Sequence, residues 1–138
     1  KQGESTTLNN LASIYQVKGD YDTSLAYLEQ SFRIQQEIGD VRGESITLSD
    51  LFFIYQKRGD YATALAYLQK SIKIQQEIGD DYGLFQNYRN LSFVLSQSNQ
   101  KSDALNLINQ TISLGKKLGL QNDVKELAVL RNKLTHQI

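Results

Sequence analysis

GESITLSDLFFIYQKRGDYATALAYLQKSIKIQQEIGDDY, residues 43–82, decides the fold, because the segment before it repeats it. Laid on residues 3–42, 25 of the 40 positions are identical. A looser copy covers residues 83–122 and a partial fourth ends the chain. Self-similarity at this period is the signature of a solenoid, in which each unit is stable only when stacked on its neighbours.

Within residues 43–82, Leu48, Leu51, Phe52 and Tyr55 recur at helical spacing, and after a break Leu65, Leu68 and Ile72 do the same, with Ile78 further on. Two apolar stripes of this kind make a helical hairpin. The break is Gly59-Asp60, matching Gly19-Asp20; glycine takes the left-handed conformation that ends a helix, and aspartate caps the next one. In the third copy Asn99 stands at the glycine position, and asparagine also tolerates that conformation. A second break falls at Gly39-Asp40 and Gly79-Asp80, with Gly119 alone in the third copy. Helices are therefore expected over 3–17, 21–38, 41–57, 61–78, 81–97, 101–118 and 122–137, with no strand.

The short joints force consecutive helices to lie antiparallel. Ala12, Ser24, Ser31, Ala64 and Ser71 are expected where the two helices of a hairpin approach closely. The last helix keeps Leu127, Leu130, Leu134 and Ile138 on one face and Lys125, Arg131 and Lys133 on the other, the pattern of a solvating cap. The first helix has no counterpart ahead of it. Ile14, whose equivalents Ile54 and Val94 are expected to pack on a preceding unit, has nothing to pack on, so this end either followed further repeats or associates with another chain.

Composition narrows the function. The chain has 138 residues, 40 % of them hydrophobic, enough for one domain with a continuous core. Fifteen Lys and Arg balance fifteen Asp and Glu, so no long-range field draws nucleic acid or an anionic membrane. No apolar run is long enough to cross a bilayer and no secretory signal opens the chain; a soluble, cytoplasmic protein is expected. Cysteine is absent, which removes disulfides and thiolate chemistry. The absence of methionine even at position 1 reads as a segment of a longer protein or a processed one.

Leu8, Leu11, Ala12, Tyr15, Gly19-Asp20-Tyr21, Ser24, Leu28 and Ser31 fall at the spacing of the tetratricopeptide signature. Leu48, Leu51, Tyr55, Gly59-Asp60-Tyr61, Ala64, Leu68 and Ser71 repeat it, and Tyr88, Leu91, Ala104 and Ile108 keep a looser form. The whole chain thus resembles a tetratricopeptide-repeat protein, in the 40-residue variant seen in kinesin light chains, in cell-polarity adaptors and in many bacterial multidomain proteins. It departs from the pattern in lacking the proline at the end of the second helix, where Gln36 and Gln76 stand. The resemblance implies an all-α, right-handed α-α superhelix of three hairpins (residues 3–42, 43–82 and 83–122) and a capping helix over 123–138, forming a single domain.

It also implies that the first helix of each pair lines a concave groove that takes a peptide or a helix. The matching positions are Thr6, Asn9, Asn10, Ser13, Gln16 and Val17 in the first copy. In the second they are Ile46, Ser49, Asp50, Phe53, Gln56 and Lys57, and in the third Gln86, Arg89, Asn90, Phe93, Ser96 and Gln97. Asn10, Asp50 and Asn90 would form a ladder offering donors and acceptors to the backbone of an extended peptide. Phe53 and Phe93 with Ile46 would be apolar anchors, or else gap-filling core residues. Arg89 and Lys57 could recognise a carboxylate, Arg89 alternatively pairing with Asp50. A chaperone-tail clamp needs lysine and asparagine in the first copy and lysine and arginine in the third; those positions hold Asn9, Ser13, Gln86 and Asn90, which argues against that subclass.

Enzyme signals are weak. The one histidine, His136, has no catalytic partners in sequence, and there is no phosphate loop, metal motif or cysteine nucleophile. The expectation is a non-catalytic module without cofactor or metal, binding a peptide or protein partner that could be another domain of its own chain, and not nucleic acid or membrane. The alternative is a spacer or self-association segment, forming a homo-oligomer through the first repeat.

Overall fold

The computed structural model describes residues 1–136. Seven α-helices run through them with no strand: α1 (Gln2–Val17), α2 (Tyr21–Ile38), α3 (Val41–Lys57), α4 (Tyr61–Ile78), α5 (Asp81–Ser96), α6 (Lys101–Lys117) and α7 (Gln121–Thr135). The helices begin and end within one or two residues of the expected positions. Ile138, expected to close the apolar stripe of α7, lies outside the described residues.

The joints work by the chemistry their residues suggest. Gly19, Gly39, Gly59, Gly79 and Gly119 all adopt positive φ, between 71° and 81°, a conformation that costs a β-carbon-bearing residue about 1–2 kcal/mol. At the first joint this lets the Asp20 amide reach back to the Tyr15 carbonyl at 2.9 Å, closing α1. The following aspartate then starts the next helix. Asp20 and Asp60 accept from the Thr23 and Thr63 amides, and Asp40 and Asp80 from those of Gly43 and Gly83.

Asn99 corrects the expectation. Among the described residues only glycines have positive φ, so Asn99 does not take the left-handed turn. Instead α5 stops at Ser96, and Gln97 and Ser98 donate backbone bonds to Phe93 and Leu95. Ser98 adds a hydroxyl bond to the Leu95 carbonyl at 3.0 Å. A right-handed turn closed by a serine replaces the glycine stop.

The helices form two compact units, residues 1–78 and 79–138. In the first, Ala12, Leu25, Leu28, Leu48, Leu51 and Ile54 make the core, with the Tyr15 ring tilted against Tyr27 at 5.7 Å and Tyr55 stacked on Tyr67 at 5.5 Å. Complete burial of Leu28 or Leu68 stabilises by about 1.5–3 kcal/mol each. The small residues sit where expected and do more than permit close approach. The Ser24 hydroxyl donates to the Ala12 carbonyl at 2.7 Å, Ser31 to Ser5 at 3.0 Å and Ser71 to Ser45 at 2.7 Å, stitching second helix to first.

In the second unit Phe85, Ala104, Ile108, Ile112, Leu127 and Leu134 form the core. α7 buries Leu127 and Leu134 on one face and exposes Lys125 and Lys133 on the other.

Candidate functional site

The joint between the first two hairpins builds a polar pocket. Asp40 is drawn back onto the Gly43 amide at 3.0 Å, and Gln35, in the last turns of α2, is buried beside it. A β-carbon at residue 43 would collide with the Asp40 carboxylate and come within 3.0 Å of the Gln35 amide nitrogen, so glycine keeps this corner open. Gln35 accepts the Thr47 hydroxyl at 2.8 Å, and Asn9 donates its amide to the same hydroxyl oxygen at 3.2 Å. Three side chains from α2, α3 and α1 thus lock the joint by hydrogen bonds, each contributing about 0.5–1.5 kcal/mol.

Above this network lies a cavity of about 270 Å³ between α1 and α3, with Thr6, Asn9, Asn10 and Ile46 among its walls and Gln35, Asp40 and Arg42 at the α2–α3 end. These four expected groove residues are brought together. Asn10 is exposed and Ile46 is 48 % exposed, so both face solvent as a binding surface requires. Asn9 is only half free, since part of its amide is spent on Thr47.

Asp50 lies one turn beyond Ile46 on the same side of α3. Burial alone, with no neighbouring charge contributing, pushes its carboxyl up to about 7. Glu44 is also raised, first by burial and then by the Asp40 carboxylate. Phe53 is half-buried, its ring tilted against Phe52 at 5.2 Å. Gln56 is half-buried and Lys57 exposed at the end of α3, while Ser13 is exposed and bonds its own helix at the Asn9 carbonyl.

Ser49 departs from the expectation: its hydroxyl meets Ser71 of α4 at 2.9 Å and the Ser45 carbonyl, which turns it into the hairpin and away from the groove face.

The remaining expected residues lie on α5 in the second unit. Gln86 is exposed, Asn90 half-buried and Phe93 37 % exposed, at spacings that put them on one face of the helix. Arg89 finds its counter-charges on α7, at 3.1 Å from Asp123 and 3.6 Å from Glu126. Its guanidinium serves to hold α7, and its charge is matched before any partner arrives.

Sequence reading missed the Gln35–Thr47–Asn9 network. The signal was available: Gln35 recurs as Gln75 within the repeated QQEIGD phrase, but a polar residue at a joint is indistinguishable from a solvated one until its burial is known. Among the described residues no group of three His, Cys, Asp or Glu is arranged to hold a metal ion, and no helix is long and apolar enough to cross a membrane.

Two stretches of the chain, residues 3–51 and 43–117, match the model of the tetratricopeptide repeat. The chain belongs to the tetratricopeptide-repeat family. A solved structure from Podosopora anserina, described as kinesin light chain nearly identical TPR-like repeats, superposes with a TM-score of 0.66 at 17 % identity, covering 97 % of this chain and 77 % of that one. At that identity the likeness speaks for the fold alone. Among curated proteins no sequence matches the chain. Repeats of this family generally mediate interactions between proteins.

Proposed function

We propose that the chain is a non-catalytic interaction module whose α1–α3 face in the first unit takes up an extended peptide. The observation that supports this reading is the cavity of about 270 Å³ where Thr6, Asn9, Asn10 and Ile46 converge, polar along its walls with one apolar side chain at its rim. Asn10 offers a donor and an acceptor to a peptide backbone, Ile46 an apolar contact, and Asp50, one turn further on, a carboxyl raised to about 7 by burial, whose ionised form an approaching donor or cation would favour. Phe53, half-buried on Phe52, extends the apolar strip along α3. The expected ladder is carried in this reading by Asn10 and Asp50. Asn90, with Gln86 and Phe93, presents a comparable face on α5.

The test is selection of binders from a displayed library of random peptides, followed by titration of the recovered peptides against wild type and against Asn10→Ala/Asp50→Ala. Weakening by about tenfold or more supports the site, two hydrogen bonds of about 1 kcal/mol each being at stake. Unchanged affinity removes this face from the mechanism.

A second reading, self-association through α1, draws on a different observation. Ile14 is 51 % exposed where its equivalent Ile54 is fully buried, and the Thr7 hydroxyl bonds its own helix where Thr47 is held by Gln35. Sedimentation across a concentration range separates the two: a dimer that dissociates on dilution and is abolished by Ile14→Lys favours self-association, whereas a constant monomer leaves the peptide module.

A further inference from the structure

The second helices of the first unit frame a groove that the proposed peptide site does not use. Between α2 and α4, over the back of α3, lies a cavity of about 590 Å³ with almost wholly apolar walls. Leu48 and Leu51 form its floor, and Phe32, Tyr67 and Ile74, each only partly buried in the core, form its lips. An open apolar hollow of this size is within the range that holds a bulky ligand group.

The rim carries its own information. Arg33 on α2 and Lys70 and Lys73 on α4 stand around the opening, against one carboxylate, Glu29. Lys70 extends over the Tyr67 ring with its ammonium 5.8 Å from the centroid, which keeps that charge beside the cavity. The residues lining the opening carry three cations to one anion, on a chain whose net charge is zero.

From this we infer that the α2–α4 groove is a second peptide-binding surface, taking an acidic segment that inserts one bulky apolar side chain between Phe32, Tyr67 and Ile74. Spacing selects this occupant. The walls on α4 run from Tyr67 to Ile74, seven residues or about 10 Å of helix. That length seats one or two side chains and leaves most of a long acyl tail in water. The cations flank the hollow from both helices, an arrangement that several carboxylates along a chain can meet and a single anionic head group cannot. The inference stands apart from the α1–α3 site, since the two are lined by different residues on different sides of α3.

The experiment uses a fluorescent peptide of glutamates around one central phenylalanine, titrated by anisotropy at low salt against the full chain. Binding is expected to weaken roughly tenfold in Lys70→Glu/Lys73→Glu, whose side chains are solvent-exposed and whose fold is checked by circular dichroism. It is expected to be lost when the phenylalanine becomes serine, to fall as salt rises, and to be unmoved by Asn10→Ala/Asp50→Ala. A titration indifferent to the lysine reversal or to the phenylalanine overturns the inference. So does displacement by dodecanoate at concentrations where the unlabelled peptide with serine in place of phenylalanine is inert, which identifies a fatty-acid site instead. Weakening by Asn10→Ala/Asp50→Ala overturns it too, since it places this peptide on the α1–α3 face.

Discussion

The α2–α3 joint and the packing of α5 against α6 and α7 fill equivalent places with opposite chemistry. In the first unit, positions 5 and 45 are small serines whose backbone carbonyls accept bonds from Ser31 and Ser71 across the hairpin, and position 35 is a glutamine holding Thr47. In the second unit the equivalent of Ser5 and Ser45 is Phe85, 1 % exposed, and the equivalent of Gln35 is Gly115. A β-carbon at Gly115 would lie 2.7 Å from Val124 and 2.8 Å from the Phe85 ring. The ring occupies the volume that the glutamine vacates. Thr111, at the place of Ser31 and Ser71, bonds its hydroxyl to its own helix at the Leu107 carbonyl. The lesson is that one backbone slot accepts either a hydrogen-bonded polar set or an aromatic against a glycine, but the members of each set are interdependent.

Breaking the apolar set should have the largest effect. Phe85→Ala leaves a cavity under α6 and α7 and is expected to cost about 3–5 kcal/mol, read by urea denaturation. Next comes Asp50, whose half-buried carboxyl is raised to about 7. Its folded value of about 7 stands above the ordinary 3.8, so between those pH values the folded chain holds a proton that the unfolded chain has lost. Stability contributed by the neutral form is therefore present near pH 4 and declines as pH rises to 7. Asp50→Asn should match wild type near pH 4 and exceed it above pH 7 by roughly 2–4 kcal/mol, measured as the pH dependence of urea midpoints. An excess that does not grow with pH would mean that the carboxyl is well solvated.

Gly115→Gln restores the residue of the earlier copies and tests the interdependence. Overpacking against Phe85 and Val124 should cost about 1–3 kcal/mol, in spite of the better helix propensity. Adding Phe85→Ser should recover part of what the two single changes lose separately, giving a favourable coupling energy. Strict additivity would show that the positions are independent. Gln35→Ala, on the polar side, leaves the Thr47 hydroxyl without its buried acceptor and should cost about 1–2 kcal/mol by the same denaturation. The smallest effect is expected from Asn99→Gly, at most about 0.5 kcal/mol in either direction, because the turn there is right-handed and gains nothing from glycine.

Much of this architecture was legible in the residues. Helix ends could be read because glycine and aspartate mark them by local chemistry, and the exception, Asn99, failed where a residue merely tolerates a conformation that nothing requires. Ala12, Ser24 and Ser31 could be placed in the hairpin interior from spacing, whereas the bonds their hydroxyls make depend on the facing helix. The site was less legible for the same reason. Asn10 and Ile46 face the cavity as their positions suggest, but Ser49 turns inward to Ser71 and Arg89 is taken by Asp123, outcomes decided by the neighbouring helix. The α2–α4 hollow was invisible, since nothing in the sequence separates partly exposed aromatics such as Phe32 and Tyr67 from buried ones.

Where a bound peptide sits is the deciding observation. Amide chemical-shift mapping of the labelled chain, titrated with a library-selected peptide, should move the signals of Thr6, Asn9, Asn10, Ile46 and Asp50 on α1 and α3 together. Shifts confined to α6 and α7, or none at saturating peptide, would contradict it.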